Sequence, residues 1–136
     1  MGAPDRSTKP IAEKVLIAGA GIGGLTTALA LHAQGVEAEL FEQSREIREL
    51  GVGFTLLPHA VKVLASLGLL AALDAAGIRT SELIYANRLG QIVWREPRGM
   101  DAGYEVPQFG IHRGSLLGIL HRAVRDRLGP AAIHID

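Results

Sequence analysis

Six consecutive residues, Gly19-Ala20-Gly21-Ile22-Gly23-Gly24, set four glycines between an apolar run and a stretch of helix formers. In such a turn the glycines have separate uses: Gly19 allows a tight exit from a strand, Gly21 lets the backbone approach a pyrophosphate, and Gly24 lets the helix lie close to the sheet. The N–H groups of the first helical turn, near Ile22 and Gly23, have no acceptor within the helix and sit at its positive end, so they favour a diphosphate. Glu42 follows Gly24 at close to the spacing of about 20 residues at which an acidic side chain hydrogen-bonds a ribose hydroxyl pair. The same carboxylate would repel a 2′-phosphate, which disfavours NADP here. These groups suit the ADP half of a dinucleotide, and the pattern by itself leaves FAD and NAD both open. A glycine-rich turn with Glu42 as a solvated strand end is the plainer alternative.

The flanking sequence supplies the elements such a site needs. Val15 to Ala18 is a short unbroken apolar run, expected to be a strand buried on both faces of a parallel sheet. Ile22 to about Gln34 reads as a helix with Leu25, Ala28 and Leu29 on one side and Gly35 as its stop. Glu37 to Phe41 reads as a second strand with Glu42 at its carboxyl end, completing a βαβ unit. Residues 1–13, polar and holding two prolines, are expected to be a disordered tail, with the ordered domain from Lys14.

Beyond Glu42 the regularity falls. Ser44 to Leu50 is charged, and Gly51-Val52-Gly53 reads as a flexible loop. Pro58 is placed to open a helix through Val61, Leu64 and Leu67, and a shorter helix from Leu69 to Ala76 stops at Gly77. Leu83 to Tyr85 and Ile92 to Trp94 flank Asn87 to Gly90, the pattern of a hairpin with a loop of about four residues. That hairpin, at about 80–96, reads as the start of an inserted β-rich region. Gly114 to Leu128 has helical spacing through Leu116, Leu117, Leu120, Val124 and Leu128; after Gly129-Pro130, residues 131–135 read as a third parallel strand. The expected fold class is α/β: a Rossmann-like dinucleotide-binding βαβ unit with a parallel sheet plus the inserted region.

Composition narrows the chemistry. With 136 residues the length prior is one domain, and 14 basic residues balance 14 acidic ones with no block of like charge, so neither nucleic acid nor an anionic membrane is expected as a partner. The chain has no cysteine, which removes disulfides and thiolate sites and fits a cytoplasmic location. Its five histidines, His32, His59, His112, His121 and His134, form no pair at ligand spacing beside a carboxylate, so no metal site is expected. Val15 to Val36 lacks charged residues, as a signal peptide or membrane span would, but its four clustered glycines fit strand, turn and helix better.

Two longer stretches carry a family resemblance. Residues 19–54, GAGIGGLTTALALHAQGVEAELFEQSREIRELGVGF, resemble the opening of class A FAD-dependent aromatic monooxygenases of the salicylate hydroxylase type. Residues 96–129, EPRGMDAGYEVPQFGIHRGSLLGILHRAVRDRLG, are similar to the phenazine-hydroxylating members of that class. The resemblance implies that Glu42 holds the adenosine ribose of FAD with Gln43 beside it, that Val52 and Gly53 border the flavin or its ribityl chain, and that Arg113, in an Arg-x-x-Leu motif with Leu116, contacts FAD. Gln108 is implied to reach the same region. It further implies NADH or NADPH as transient reductant and a small aromatic substrate. Leu117 and His59 stand where relatives often carry glutamine and asparagine. The family's later Asp-Gly and Gly-Asp segments have no counterpart before Asp136, so the chain is expected to be an amino-terminal part that does not turn over alone. An NAD-binding oxidoreductase module and an inactive nucleotide-binding fragment are the alternatives. The oligomeric state is open.

Overall fold

The computed structural model describes residues 14–44 and 52–135. The expected tail at 1–13, residues 45–50 of the charged stretch, and Gly51 lie outside the described residues. The chain divides into two compact units, residues 1–46 with 124–136, and residues 47–123.

In the first unit, strand β1 (Lys14–Ala18), helix α1 (Ile22–Ala33) and strand β2 (Glu37–Glu42) form the βαβ unit read from the sequence. β1 pairs parallel with β2 from Lys14 opposite Glu37 to Ala18 opposite Phe41. The uncharged stretch from Val15 to Val36 is thus a strand, a turn and a helix of 12 residues. Among the described residues no helix is long and apolar enough to cross a membrane. α1 buries Leu25, Ala28 and Leu29, the predicted stripe. The sheet's third member is a strand near the chain's end, Ile133–Ile135, which pairs parallel with β2 from Leu40 opposite Ile133 to Glu42 opposite Ile135.

The expectation that β1 is buried on both faces needs correcting. Val15 and Ile17 face α1, but Leu16 points the other way and is 66% exposed. β1 lies at the edge of the order in which β2 is central, and the face carrying Lys14, Leu16, Phe41 and His134 is largely open. Polar pairing runs across that face. Lys14 forms a salt bridge with Glu39, His134 Nε2 lies 3.3 Å from a Glu39 oxygen, and the His134 and Phe41 rings stack at 4.6 Å.

The second unit holds strand β3 (Gly53–Leu56), helices α2 (Pro58–Ser66) and α3 (Leu70–Ala76), strands β4 (Ile78–Thr80), β5 (Glu82–Ala86) and β6 (Ile92–Pro97), and strand β7 (Gln108–His112). Helix α4 (Arg113–Leu128) follows, and the division between the units falls within it, after Ala123; the strand Ile133–Ile135 is β8. α2 starts at Pro58 as expected, since a proline in the first turn forfeits no helical hydrogen bond. Val61, Leu64, Leu73, Phe109 and Ile111 are the centre of this unit's core.

Two local readings change. Val52 and Gly53 are not a flexible loop: Gly53 pairs with His112 in an antiparallel sheet of order β3-β7-β4, and the Val52 carbonyl accepts the Arg113 N–H at 3.1 Å. Partners some sixty residues away hold this segment, and no local pattern reports them. The β5–β6 hairpin forms, with a connection of Asn87 to Gln91 and a register irregularity beside Ala86. Asn87 organises it: its Oδ1 accepts the N–H groups of Leu89 and Gln91 at 2.9 and 3.1 Å.

One backbone contact limits sequence choice more than the rest. A Cβ added to Gly24 would stand 1.9 Å from the Gly19 carbonyl oxygen, while Gly19 itself has φ +97°. The neighbouring atom is backbone and cannot swing aside. Gly24→Ala is expected to destabilise the first unit by about 3 kcal/mol or more, at the upper end of overpacking costs; thermal unfolding of the variant at the wild-type midpoint would contradict this.

Candidate functional site

The glycine turn leaves β1, passes over the end of β2 and enters α1. Two bonds fix it there. The Gly19 N–H donates to the Phe41 carbonyl at 2.8 Å, and the Ala20 N–H donates to Glu42 Oε2, also at 2.8 Å. The other carboxylate oxygen, Oε1, accepts the Ser44 N–H at 2.9 Å. Glu42 therefore joins the glycine turn to the chain leaving β2, a role the sequence did not announce. A carboxylate offers about four acceptor positions, so a ribose diol could still be bound. These backbone donors, Ala20 first and then Ser44, hold the Glu42 carboxyl below its ordinary value of 4.5.

The mouth of α1 suits an anion. Its first internal bond runs from the Leu25 N–H to the Gly21 carbonyl at 3.0 Å, so the N–H groups of Ile22, Gly23 and Gly24 precede it without helical acceptors. No acidic residue occupies the first turn. Cβ positions on Gly21 and Gly23 would meet nothing within 4 Å, which leaves the open backbone surface a diphosphate needs. Beside Glu42, a cavity of about 370 Å³ is lined by Phe41, Glu42, Gln43, His134 and Ile135, at the carboxyl ends of β2 and β8. The outer ends of parallel strands are where α/β sheets hold ligands. Gln43 was expected at this site; Phe41, His134 and Ile135 were not. Their signal in sequence is only the pairing of β2 with β8, which joins distant segments.

Residues Gly19 to Gly24, Glu42 and Gln43 are thus gathered in the first unit. Val52, Gly53, Gln108 and Arg113 belong to the second. There Arg113 is the first residue of α4, with an exposed side chain, and its backbone is tied to Val52. Val52 is 76% exposed. Gln108 is buried, and its amide Nε2 donates to Thr80 Oγ1 at 3.1 Å, fastening β7 to β4. The open face of this sheet, bearing Gly53, Thr55, Ile78, Gly110 and His112, floors a shallow hollow of about 460 Å³. Among the described residues no group of three histidine, aspartate or glutamate side chains could hold a metal ion.

Comparison with known proteins bears on which dinucleotide this is. Residues 12–113 match the FAD binding domain family. Phenazine 1,6-dicarboxylic acid hydroxylase of Lysobacter antibioticus is 55% identical over 116 residues, covering 85% of this chain and 28% of that protein. The 3-amino-4-hydroxybenzoate 2-monooxygenase of Streptomyces cremeus is 32% identical over 125 residues, 90% of this chain and 31% of that protein. Among solved structures, 2,6-dihydroxypyridine-3-hydroxylase from Arthrobacter nicotinovorans superposes with a TM-score of 0.67 at 26% identity, covering 93% of this chain and 29% of that one. The chain spans less than a third of the length of these relatives.

The lowered Glu42 carboxyl makes its link between turn and strand pH-dependent in a defined direction. A depressed carboxyl contributes stability that is present above pH 4.5 and is lost as pH falls through its folded value. The stability difference between the wild type and Glu42→Gln is expected to be constant from pH 8 to about pH 5 and to shrink below 4.5. Denaturant titrations across that range would measure it, and a difference growing toward acid would be the wrong sign.

Proposed function

Because the chain belongs to the FAD-binding domain family of class A aromatic hydroxylases, we propose that it is the amino-terminal FAD-binding portion of a flavin-dependent monooxygenase acting on a small aromatic substrate. The observation that carries this reading is the coupling of the glycine turn to Glu42: one carboxylate holds the turn against β2 while the mouth of α1 stays open beside it.

In this reading the N–H groups of Ile22 and Gly23 bind the pyrophosphate, with Gly19, Ala20, Gly21 and Gly24 giving the backbone its path. Glu42 takes the adenosine ribose hydroxyls on its remaining lone pairs, and Gln43 flanks the adenosine in the cavity shared with Phe41 and His134. In the second unit Val52 and Gly53 border the flavin end, and Arg113 supplies a charged fork that can bridge phosphate and ribose oxygens. The Gln108 amide is engaged with Thr80, so in this reading its part is to hold the sheet that carries the flavin-end residues.

FAD held by these residues would supply the redox chemistry of an NAD(P)H- and oxygen-dependent aromatic hydroxylation. The chain's own residues hold and orient the cofactor and exclude water from its phosphates. None is assigned an acid or base step. The 55% identical relative is named for a phenazine acid, which makes fused-ring aromatic acids the first substrate class to try. A cytoplasmic setting, where the reductants are regenerated, completes the reading.

The test is direct binding to the purified chain. FAD is expected to bind at least tenfold more tightly than FMN, which lacks the ADP half, and more tightly than NADH. Glu42→Ala should weaken FAD by about tenfold, the usual cost of a hydrogen bond to a charged group. Equal affinity for FAD and FMN, or preference for NADH, would overturn the assignment.

A further inference from the structure

His112 was read from sequence as one of five histidines without a role, yet it occupies the residue before the first turn of α4. Its Nδ1 accepts the backbone N–H of Gly114 at 3.2 Å. That is the position and the bond of a helix N-cap, and the helix so capped, α4, begins with Arg113. An imidazole nitrogen that accepts a hydrogen bond carries no proton, so this geometry selects the neutral tautomer protonated at Nε2. Backbone bonds extend the effect on both sides. His112 pairs with Gly53 in the β3–β7 ladder, and the Arg113 N–H donates to the Val52 carbonyl at 3.1 Å.

We propose that His112 is a positioning residue for the flavin end of the site: by capping α4 through Nδ1 it fixes the backbone of Arg113 and of the Val52-Gly53 segment together. The inference rests on the reading that Arg113 contacts FAD. A cap is needed here because α4 begins directly at the end of β7, with no loop residue between His112 and Arg113 to supply an acceptor. Asparagine, aspartate, serine and threonine are the usual caps. A histidine does the same work with a larger ring that stands at the edge of the hollow formed by Gly53, Ile78 and Gly110.

Three variants and one spectrum test this. His112→Ala is expected to weaken FAD binding by roughly fivefold to tenfold, the effect of losing a cap that orders the contact residue, and His112→Asn to restore it to within about twofold. In the wild-type chain at pH 8, nitrogen-15 spectra of the imidazole should show protonation at Nε2 only. Wild-type affinity in His112→Ala, an asparagine variant as weak as alanine, or a ring protonated at Nδ1 would each overturn the proposal. Arg113→Ala separates it from the reading beneath: if that variant binds FAD normally while the tautomer is as expected, the cap stands and the assignment of Arg113 to the flavin site fails.

Discussion

The approach of α1 to the turn that precedes it is the constraint on which the first unit is built. Gly24 and Gly19 meet backbone to backbone, at a separation no side chain could occupy. That contact sets the helix close to β1 and β2, so its first-turn N–H groups end near the end of β2 that bears Glu42. The helix charge distribution and the carboxylate are then neighbours by geometry, with no flexible side chain needed to bring them together. A side chain at Gly24 would push the helix away from the strand ends, whereas at Gly19 the space is open and the obstacle is the backbone, whose φ of +97° an L side chain rarely adopts.

Glu42 shows how a residue at a candidate binding site can also be structural. Its two oxygens accept the N–H groups of Ala20 and Ser44, so the anionic form is stabilised chiefly by backbone dipoles. The carboxylate stays charged at neutral pH and remains in place before any ligand arrives. This is preorganisation: the entropy of ordering the side chain is spent in folding and not again in binding.

The first βαβ unit could be read directly from the sequence because every determinant is local. Periodicity gives α1, the glycines give the turn, and the alternation before Glu42 gives β2. The same holds for Pro58 at the start of α2 and Asn87 in the hairpin. What escaped the reading depends on pairing between distant segments. Gly53 reads as loop because its strand exists only through His112, and three-residue β4 exists only through β7. Leu16 illustrates the reverse error: an apolar run says that a strand can be covered on both faces, not that both faces are covered. Phe41, His134 and Ile135 were missed at the cavity for the same reason. Their neighbourhood is created by β8, and the cap at His112 is invisible until β7 is seen to run straight into α4.

The late arrival of β8 gives the ligand-binding unit an unusual relation to time. Leu40 and Ile133 are hydrogen-bonded neighbours about ninety residues apart in sequence. During synthesis, β1, α1 and β2 emerge as a two-stranded fragment whose central strand lacks one edge, and most of the intervening chain must be made before that edge is filled. Local hairpins and helices of the second unit can form in the interval. The cavity beside Glu42, whose wall includes His134, is therefore completed only after the second unit has been made, and a nascent chain stalled before Ile133 would display the glycine turn without the floor beside it.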